Sequence, residues 1–230
     1  MTKVAVVLSG CGVFDGSEIH EAVSILVHLS RAGAHYDCFA PMIDQHQVMD
    51  HYHKRPVSGE KRNVLIESAR IARGSIQPLD RLKVQDYDAV FFPGGFGAAK
   101  NLSDFATRGA SCMVNAGVER VIREFHKAGK PVGMCCIAPV LAARALGTRS
   151  GGPGVRVTIG DDASTSGAIA AMGSTNVPTP VTEAFSDEAN RLVTTPAYMY
   201  EAPVHEVYEG IGAMVASTLA LIRSPAGARA

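Results

Sequence analysis

The stretch from Gly129 to Gly147, GKPVGMCCIAPVLAARALG, places a short apolar run, a turn and a helix-forming segment in immediate succession, and that order limits the fold more than any other feature. Val132 to Met134 has strand length, and Ala138 to Leu146 is rich in the good helix formers Ala, Leu and Arg. Gly129-Lys130-Pro131 ends the helix that precedes it. Two further runs, Lys3 to Ser9 (KVAVVLS) and Ala89 to Phe92 (AVFF), lack alternation and run into glycine-rich turns. Such runs are expected of parallel strands buried on both faces. The chain therefore predicts an α/β protein with a mostly parallel sheet and helices on both faces.

With 230 residues, 47% of them hydrophobic and 19% charged, one well-buried domain spanning 1–230 is expected. Twenty-two basic and 22 acidic side chains cancel, and no Lys or Arg stripe forms, which argues against nucleic acid or an anionic membrane as partner. Five cysteines in irregular positions (Cys11, Cys38, Cys112, Cys135, Cys136) suit free thiols in a reducing compartment better than a disulfide framework. No apolar signal region or Arg/Ser-rich transit segment is read at the N-terminus, so a cytoplasmic protein is expected; a mitochondrial location is the alternative if a targeting peptide has been removed.

In chain order, the first strand leads into a loop holding Gly10, Cys11, Gly12, Asp15 and Gly16, whose spacing does not meet the dinucleotide pattern G-x-G-x-x-G. Ser17 is expected to cap a helix that carries Glu18 and His20 in its first turn and an apolar stripe of Ile19, Val23, Leu26 and Val27. Glu21 falls near the carboxyl end of the first strand, where open parallel sheets bind ligands; Glu18 is read as favouring the helix dipole. Tyr36 to Ala40 predicts the second strand. Residues 42–61 read as a hairpin or loop excursion, with His46, His51 and His53 solvated rather than arranged for a metal. Asn63 caps a helix predicted through Arg73, with Lys61, Arg62, Glu67, Arg70 and Arg73 on an exposed face. Val114 to Ala128 predicts an amphipathic helix buried through Val118, Val121, Ile122 and Phe125. Val155 to Ile159 and Arg191 to Thr194 predict strands, and Ser164 to Met172 and Glu206 to Ile222 predict helices. Tyr198 or Met199 could line a pocket, with core packing the competing role for Met199, and residues 224–230 read as a frayed tail.

The chemistry concentrates at two turns. A cysteine between a strand and a helix faces backbone amides and the positive end of the helix dipole, which favour a thiolate; the competing reading makes Cys135 and Cys136 small core residues. Pro93-Gly94-Gly95-Phe96-Gly97 follows a strand directly, and glycines there let peptide N–H groups turn inward as an oxyanion hole requires.

In VVLSGCGVFDGSEIHEA, RNVLIESARIARG, FPGGFGAAKNLS, GKPVGMCCIAPVLAA and VTTPAYM, taken in this order, the chain resembles the class I glutamine amidotransferase-like superfamily. The branch is the one with the PfpI-type peptidases, the glyoxalase III enzymes and the Parkinson-linked deglycase-like proteins. Within it the chain is most similar to the ElbB group tied to isoprenoid biosynthesis and its mitochondrial amidotransferase-like relatives. The resemblance implies a flavodoxin-like sandwich, usually dimeric, with the nucleophile at Cys136 and its hydrogen-bonding acid at Glu21. It also implies oxyanion donors from Gly94 or Gly95 and the amide of Ile137. The true amidotransferases carry G-x-C-x-G and a distant His and Glu, and the second glycine and an H-x-E ending are both missing here. Ile137 stands where the peptidases have His. The expected activity is accordingly a cofactor-independent glyoxalase III-type conversion of 2-oxoaldehydes, such as methylglyoxal, to 2-hydroxy acids, with Glu21 or His20 moving the proton. The rival readings are a cysteine redox sensor or binding protein and an amidotransferase-like accessory protein. His20 is either that acid/base group or an exposed first-turn residue.

Overall fold

A computed structural model describes residues 1–224. Its elements are β1 (Lys3–Val7), α1 (Ile19–Arg31), β2 (His35–Ala40), β3 (Met49–Asp50), β4 (Arg55–Pro56), α2 (Val64–Ile71), β5 (Ile76–Pro78), β6 (Ala89–Phe92), α3 (Phe96–Lys100), α4 (Phe105–Arg108), α5 (Ala116–Lys127), β7 (Val132–Cys135), α6 (Pro139–Leu146), β8 (Arg156–Val157), α7 (Ala163–Ala171), β9 (Thr175–Asn176), β10 (Phe185–Asp187), β11 (Leu192–Thr195) and α8 (Val204–Arg223). The central sheet runs β10-β11-β7-β6-β1-β2-β5 and is parallel except for β10, which pairs antiparallel with β11. From β1 the chain steps outward through β2 to β5, returns to β6 on the other side of β1, and continues to β7 and β11. That reversal opens a crevice beyond the carboxyl ends of β1 and β6, the place where open α/β sheets take ligands.

Burial on both sheet faces explains the strands without alternation. Ala5, Val7, Val90, Phe92, Val132 and Met134 face the core shared with Val118, Val121, Ile122 and Phe125 of α5 and with α6. Val4, Val6, Leu8, Ala89 and Phe91 face the other core, closed by Ile25 and Leu29 of α1 and by Val207, Ile211 and Met214 of α8. The result is a flavodoxin-like α/β sandwich. Among the described residues no helix is long and apolar enough to cross a membrane.

The structure departs from the sequence reading at several points. The cap of α1 is Glu18, whose side chain accepts the Glu21 amide at 2.7 Å. Ser17 is occupied elsewhere, because its hydroxyl accepts the Ser9 amide at 2.9 Å. The expected stripe is also turned: Ile19, Val23 and Val27 are 43%, 42% and 36% exposed, and the inward positions are Glu21, Ala22, Ser24, Ile25 and Leu29. Glu21 has to face the β7–α6 turn, and that requirement sets the rotation of the helix. α2 stops at Ile71, and Glu67 is buried, bonded to Arg70 at 2.8 Å. Residues 155–159 do not join the main sheet; only Arg156–Val157 is strand, paired in parallel with Thr175–Asn176. The edge strands β5 and β10 are three residues each, too short to show a pattern in sequence. The 42–61 segment does form a small antiparallel hairpin, and its three histidines are exposed. The tail reading falls outside the described residues apart from Ser224.

Candidate active site

Cys135 ends β7 and Cys136 occupies the turn before α6 with φ +58°, in the left-handed region that a side chain adopts only under constraint. The constraint is visible on both sides. The Cys136 amide donates to the Thr195 carbonyl at 3.0 Å, holding the turn to β11, and the Ala138 amide donates to the Cys135 carbonyl at 3.0 Å. Opposite lies the β6–α3 turn. Gly94 comes so close that a Cβ there would lie 2.5 Å from the Cys136 Cβ and 2.7 Å from Glu21 Oε2. Gly95, with φ +88°, presses on the start of α1, where a Cβ would be 2.4 Å from both the Glu18 nitrogen and the Gly16 carbonyl oxygen. Only glycine fits at either position.

Glu21 is fully buried. Its Oε2 accepts the Gly94 amide at 2.9 Å and faces the Cys135 thiol at 3.6 Å, and its Oε1 accepts the Tyr198 amide at 3.4 Å. The Cys136 thiol also hydrogen-bonds this carboxyl group. Desolvation, then the neighbouring Glu18 charge, push the Glu21 carboxyl up to about 7, against the three hydrogen bonds that favour its ionised form. Burial, then the Glu21 charge, push the Cys136 thiol well above its ordinary range, while the amides of Gly95 and Ile137 pull the other way by donating to its sulfur. The helix-terminus effect expected from sequence is thus outweighed by desolvation, and Pro139 at the start of α6 supplies no N–H of its own. Thiol and carboxyl form a coupled pair in which each holds the other's proton in reach.

The sequence-read residues therefore converge unequally. Cys136, Glu21, Gly95 and Ile137 meet at one point, and the Gly94 amide is spent on Glu21 rather than turned toward the sulfur. His20 is half exposed and reaches the site through its Nδ1, 2.9 Å from the Tyr198 hydroxyl and 3.8 Å from Glu18 Oε1. Above Cys136 opens a cavity of about 360 Å³ lined by Val13, Glu18, Gly95, Phe96, Ala99, Phe105, Ala106, Ile137, Asp162, Thr165, Tyr198 and Met199. Met199 serves both roles weighed for it, lining this cavity and packing against the core. A larger open groove of about 570 Å³ lies at the amino-terminal end of the sheet beside Cys38, a thiol that burial pushes up to about 12. The switch-point cavity is the one that unites a thiol, a carboxyl and inward amides. Sequence reasoning missed Glu18, Phe105, Asp162 and Thr165 as wall residues. Asp162 caps α7 by accepting the Thr165 amide at 2.7 Å, a pattern legible in sequence, but nothing local says which cavity that helix end faces.

The walls are tied to the scaffold by Asn101. Its Nδ2 donates to the carbonyls of Ser9 at 2.9 Å and Asp15 at 2.8 Å, and its Oδ1 accepts the His46 amide at 2.9 Å. The excursion adds Met49, whose amide donates to Asp15 at 2.8 Å, and His51, which accepts the Phe14 amide at 3.2 Å. Among the described residues no group of three or more His, Cys, Asp and Glu is placed to hold a metal ion.

The flavodoxin-like sandwich is the fold found in solved ThiJ/PfpI and DJ-1 superfamily proteins. The ThiJ/PfpI domain protein of Brachyspira murdochii shares that fold at 13% identity, with a TM-score of 0.57 over 95% of this chain and 96% of its own. No family model matches the chain. It is 54% identical over 228 residues to the human glutamine amidotransferase-like class 1 domain-containing protein 3, mitochondrial, covering 95% of this chain and 83% of the relative. It is 41% identical over 232 residues to the zebrafish ES1 protein, mitochondrial, covering 93% and 84%. A crystal structure of an isoprenoid biosynthesis protein with amidotransferase-like domain from Ehrlichia chaffeensis superimposes with a TM-score of 0.89 at 39% identity, over 96% of this chain and 99% of that one. The chain belongs to the ES1 family of glutamine amidotransferase-like class 1 proteins.

Proposed function

We propose that this protein converts small 2-oxoaldehydes to 2-hydroxy acids without a cofactor, in the manner of a glyoxalase III. The observation that carries the reading is the coupled Cys136–Glu21 pair facing the amides of Gly95 and Ile137. As the Cys136 sulfur bonds to the aldehyde carbon, its proton passes to the Glu21 carboxylate and the carbonyl electron pair moves onto oxygen, where the two amides stabilise it. That oxygen takes the proton back, giving a hemithioacetal and restoring the carboxylate. Glu21 then removes the proton from C1 and returns it at C2, while the hydroxyl proton on the C1 oxygen passes to the C2 oxygen; C1 is oxidised and C2 reduced by the same two electrons, leaving a 2-hydroxy thioester. Water hydrolyses the thioester to the 2-hydroxy acid and the free thiol. A base with a pKa near 7 suits each transfer at neutral pH. The Tyr198 hydroxyl, held by His20, stands at the wall as a further proton donor.

The test is methylglyoxal consumption with lactate detection in metal-free buffer. Turnover on the order of one per second is expected, together with a loss of at least about a thousandfold in Cys136→Ser; turnover that survives in that variant overturns the reading. A second reading, an accessory role in isoprenoid biosynthesis, has the name of the Ehrlichia relative in its favour. The mitochondrial names of the vertebrate relatives favour that compartment over the cytoplasmic one for this chain. The chain is also proposed to dimerise, through the exposed ridge of Ile19, Val23 and Val27 on α1.

A further inference from the structure

The cavity over Cys136 has an electrostatic character that the reaction alone does not require. Its walls are largely hydrocarbon, chiefly Val13, Phe96, Phe105, Ile137 and Met199. The charged side chains on it are both acids, Glu18 and Asp162. Glu18 is 8% exposed and close enough to raise the Glu21 carboxyl; Asp162 is exposed at the rim of the cavity and held in its charged form by hydrogen bonds from Thr165. The nearby basic side chains are not among the lining residues. Lys100 lies 4.7 Å over the Phe96 ring and donates to the Phe14 carbonyl at 3.1 Å, and His20 Nδ1 lies 2.9 Å from the Tyr198 hydroxyl and 3.8 Å from Glu18 Oε1. A ligand carboxylate in this cavity would meet two like charges and no Lys or Arg among the lining residues.

We infer that the site selects uncharged carbonyl compounds carrying an apolar arm, such as aryl or branched-alkyl 2-oxoaldehydes, and excludes those carrying a carboxylate. The inference rests on the reading of Cys136 as the nucleophile. It also counts against free glutamine and 2-oxo acids as substrates, since a pocket for either needs a cation to pair the carboxylate. The apolar arm lies against Phe96 and Phe105, and the aldehyde carbon points to Cys136.

The experiment compares two reagent pairs that differ by a para carboxylate, with the para carboxamide of each as the neutral reagent of the same size. Turnover is measured with phenylglyoxal against 4-carboxyphenylglyoxal. Independently of turnover, alkylation of Cys136 is followed by peptide mass mapping with 2-bromoacetophenone against 4-(bromoacetyl)benzoic acid, with 2-mercaptoethanol giving the intrinsic ratio and Cys136→Ser confirming the labelled position. The neutral reagent of each pair is expected to react at least about tenfold faster than its anionic partner, the scale of like-charge repulsion at this range, while 2-mercaptoethanol shows a ratio near one. Asp162→Asn, which keeps the α7 cap, should narrow the alkylation ratio about threefold, the share of one of two charges. Equal alkylation rates, or Cys136 inert to the neutral reagent, overturn the inference. A preserved alkylation ratio without turnover of either glyoxal overturns the proposed reaction and leaves the selectivity standing.

Discussion

A carboxyl group with no exposure, between two thiols, is kept there by the Gly94 and Tyr198 amides and by the proton it shares. Its displacement to about 7 from an ordinary 4.5 is also a statement about stability. Because the folded pKa is the higher one, the stability associated with the protonated carboxyl is fully present below about pH 4.5 and is lost as the pH rises through about 7. The loss amounts to roughly 3 kcal/mol when complete. Glu21→Gln does not titrate, so the stability of the natural protein relative to this variant should fall between about pH 4.5 and 7. Urea unfolding of both proteins across that range measures the difference, and a flat difference would contradict the coupled pair. Turnover should fall by about a hundredfold or more in the same variant, the usual contribution of a general base.

At the scale of elements, the site depends on loops bound to one another rather than on any one helix. Asn101 is the shared tie, because a single side-chain amide at the end of α3 serves both the β1–α1 loop, at Ser9 and Asp15, and the excursion, at His46. Asn101→Ala removes the partner of the Ser9 carbonyl and the His46 amide, while the Asp15 carbonyl keeps Gln45, and should cost about 2–4 kcal/mol in chemical denaturation. It should also loosen the wall at Val13 and raise KM more than it lowers kcat. For α1, the inward turn of Glu21 leaves Ile19, Val23 and Val27 outside as a ridge with the spacing of one helix face. Val23→Glu should shift the proposed dimer to monomer in sedimentation velocity and change the helix content little; a monomeric natural protein would remove that interface from the account.

Across the whole molecule, the two cores meet through the sheet, and β6 lies in its middle. Phe91 is fully buried among β1, β7 and α8, with its ring over Gly133. Phe91→Ala should lower stability by about 3–5 kcal/mol, read from the midpoint of urea unfolding. The Cys136 neighbourhood is secured separately by backbone bonds to Thr195 and Cys135, so activity below the transition should change less than stability does.

The sequence by itself determined the strands buried on both faces, the helix α5, the two glycine turns and the cysteine elbow. Each is written locally, in unbroken apolar runs, in a 3.6-residue stripe, or in glycines where only glycine can pass. It also carried the pairing of Glu21 with Cys136, through a resemblance spread over most of the chain. Only the tertiary structure decided the rotation of α1, because a polar residue bound for the interior outweighs the apolar stripe that local pattern favours. The same holds for the thiol, raised by a burial that no spacing reveals, and for the acidic walls of the cavity. Glu18 and Asp162 are far apart in sequence and belong to different helix ends. They face one ligand space because the strand order reverses beside β1, and the chain segments that meet there share no local signal.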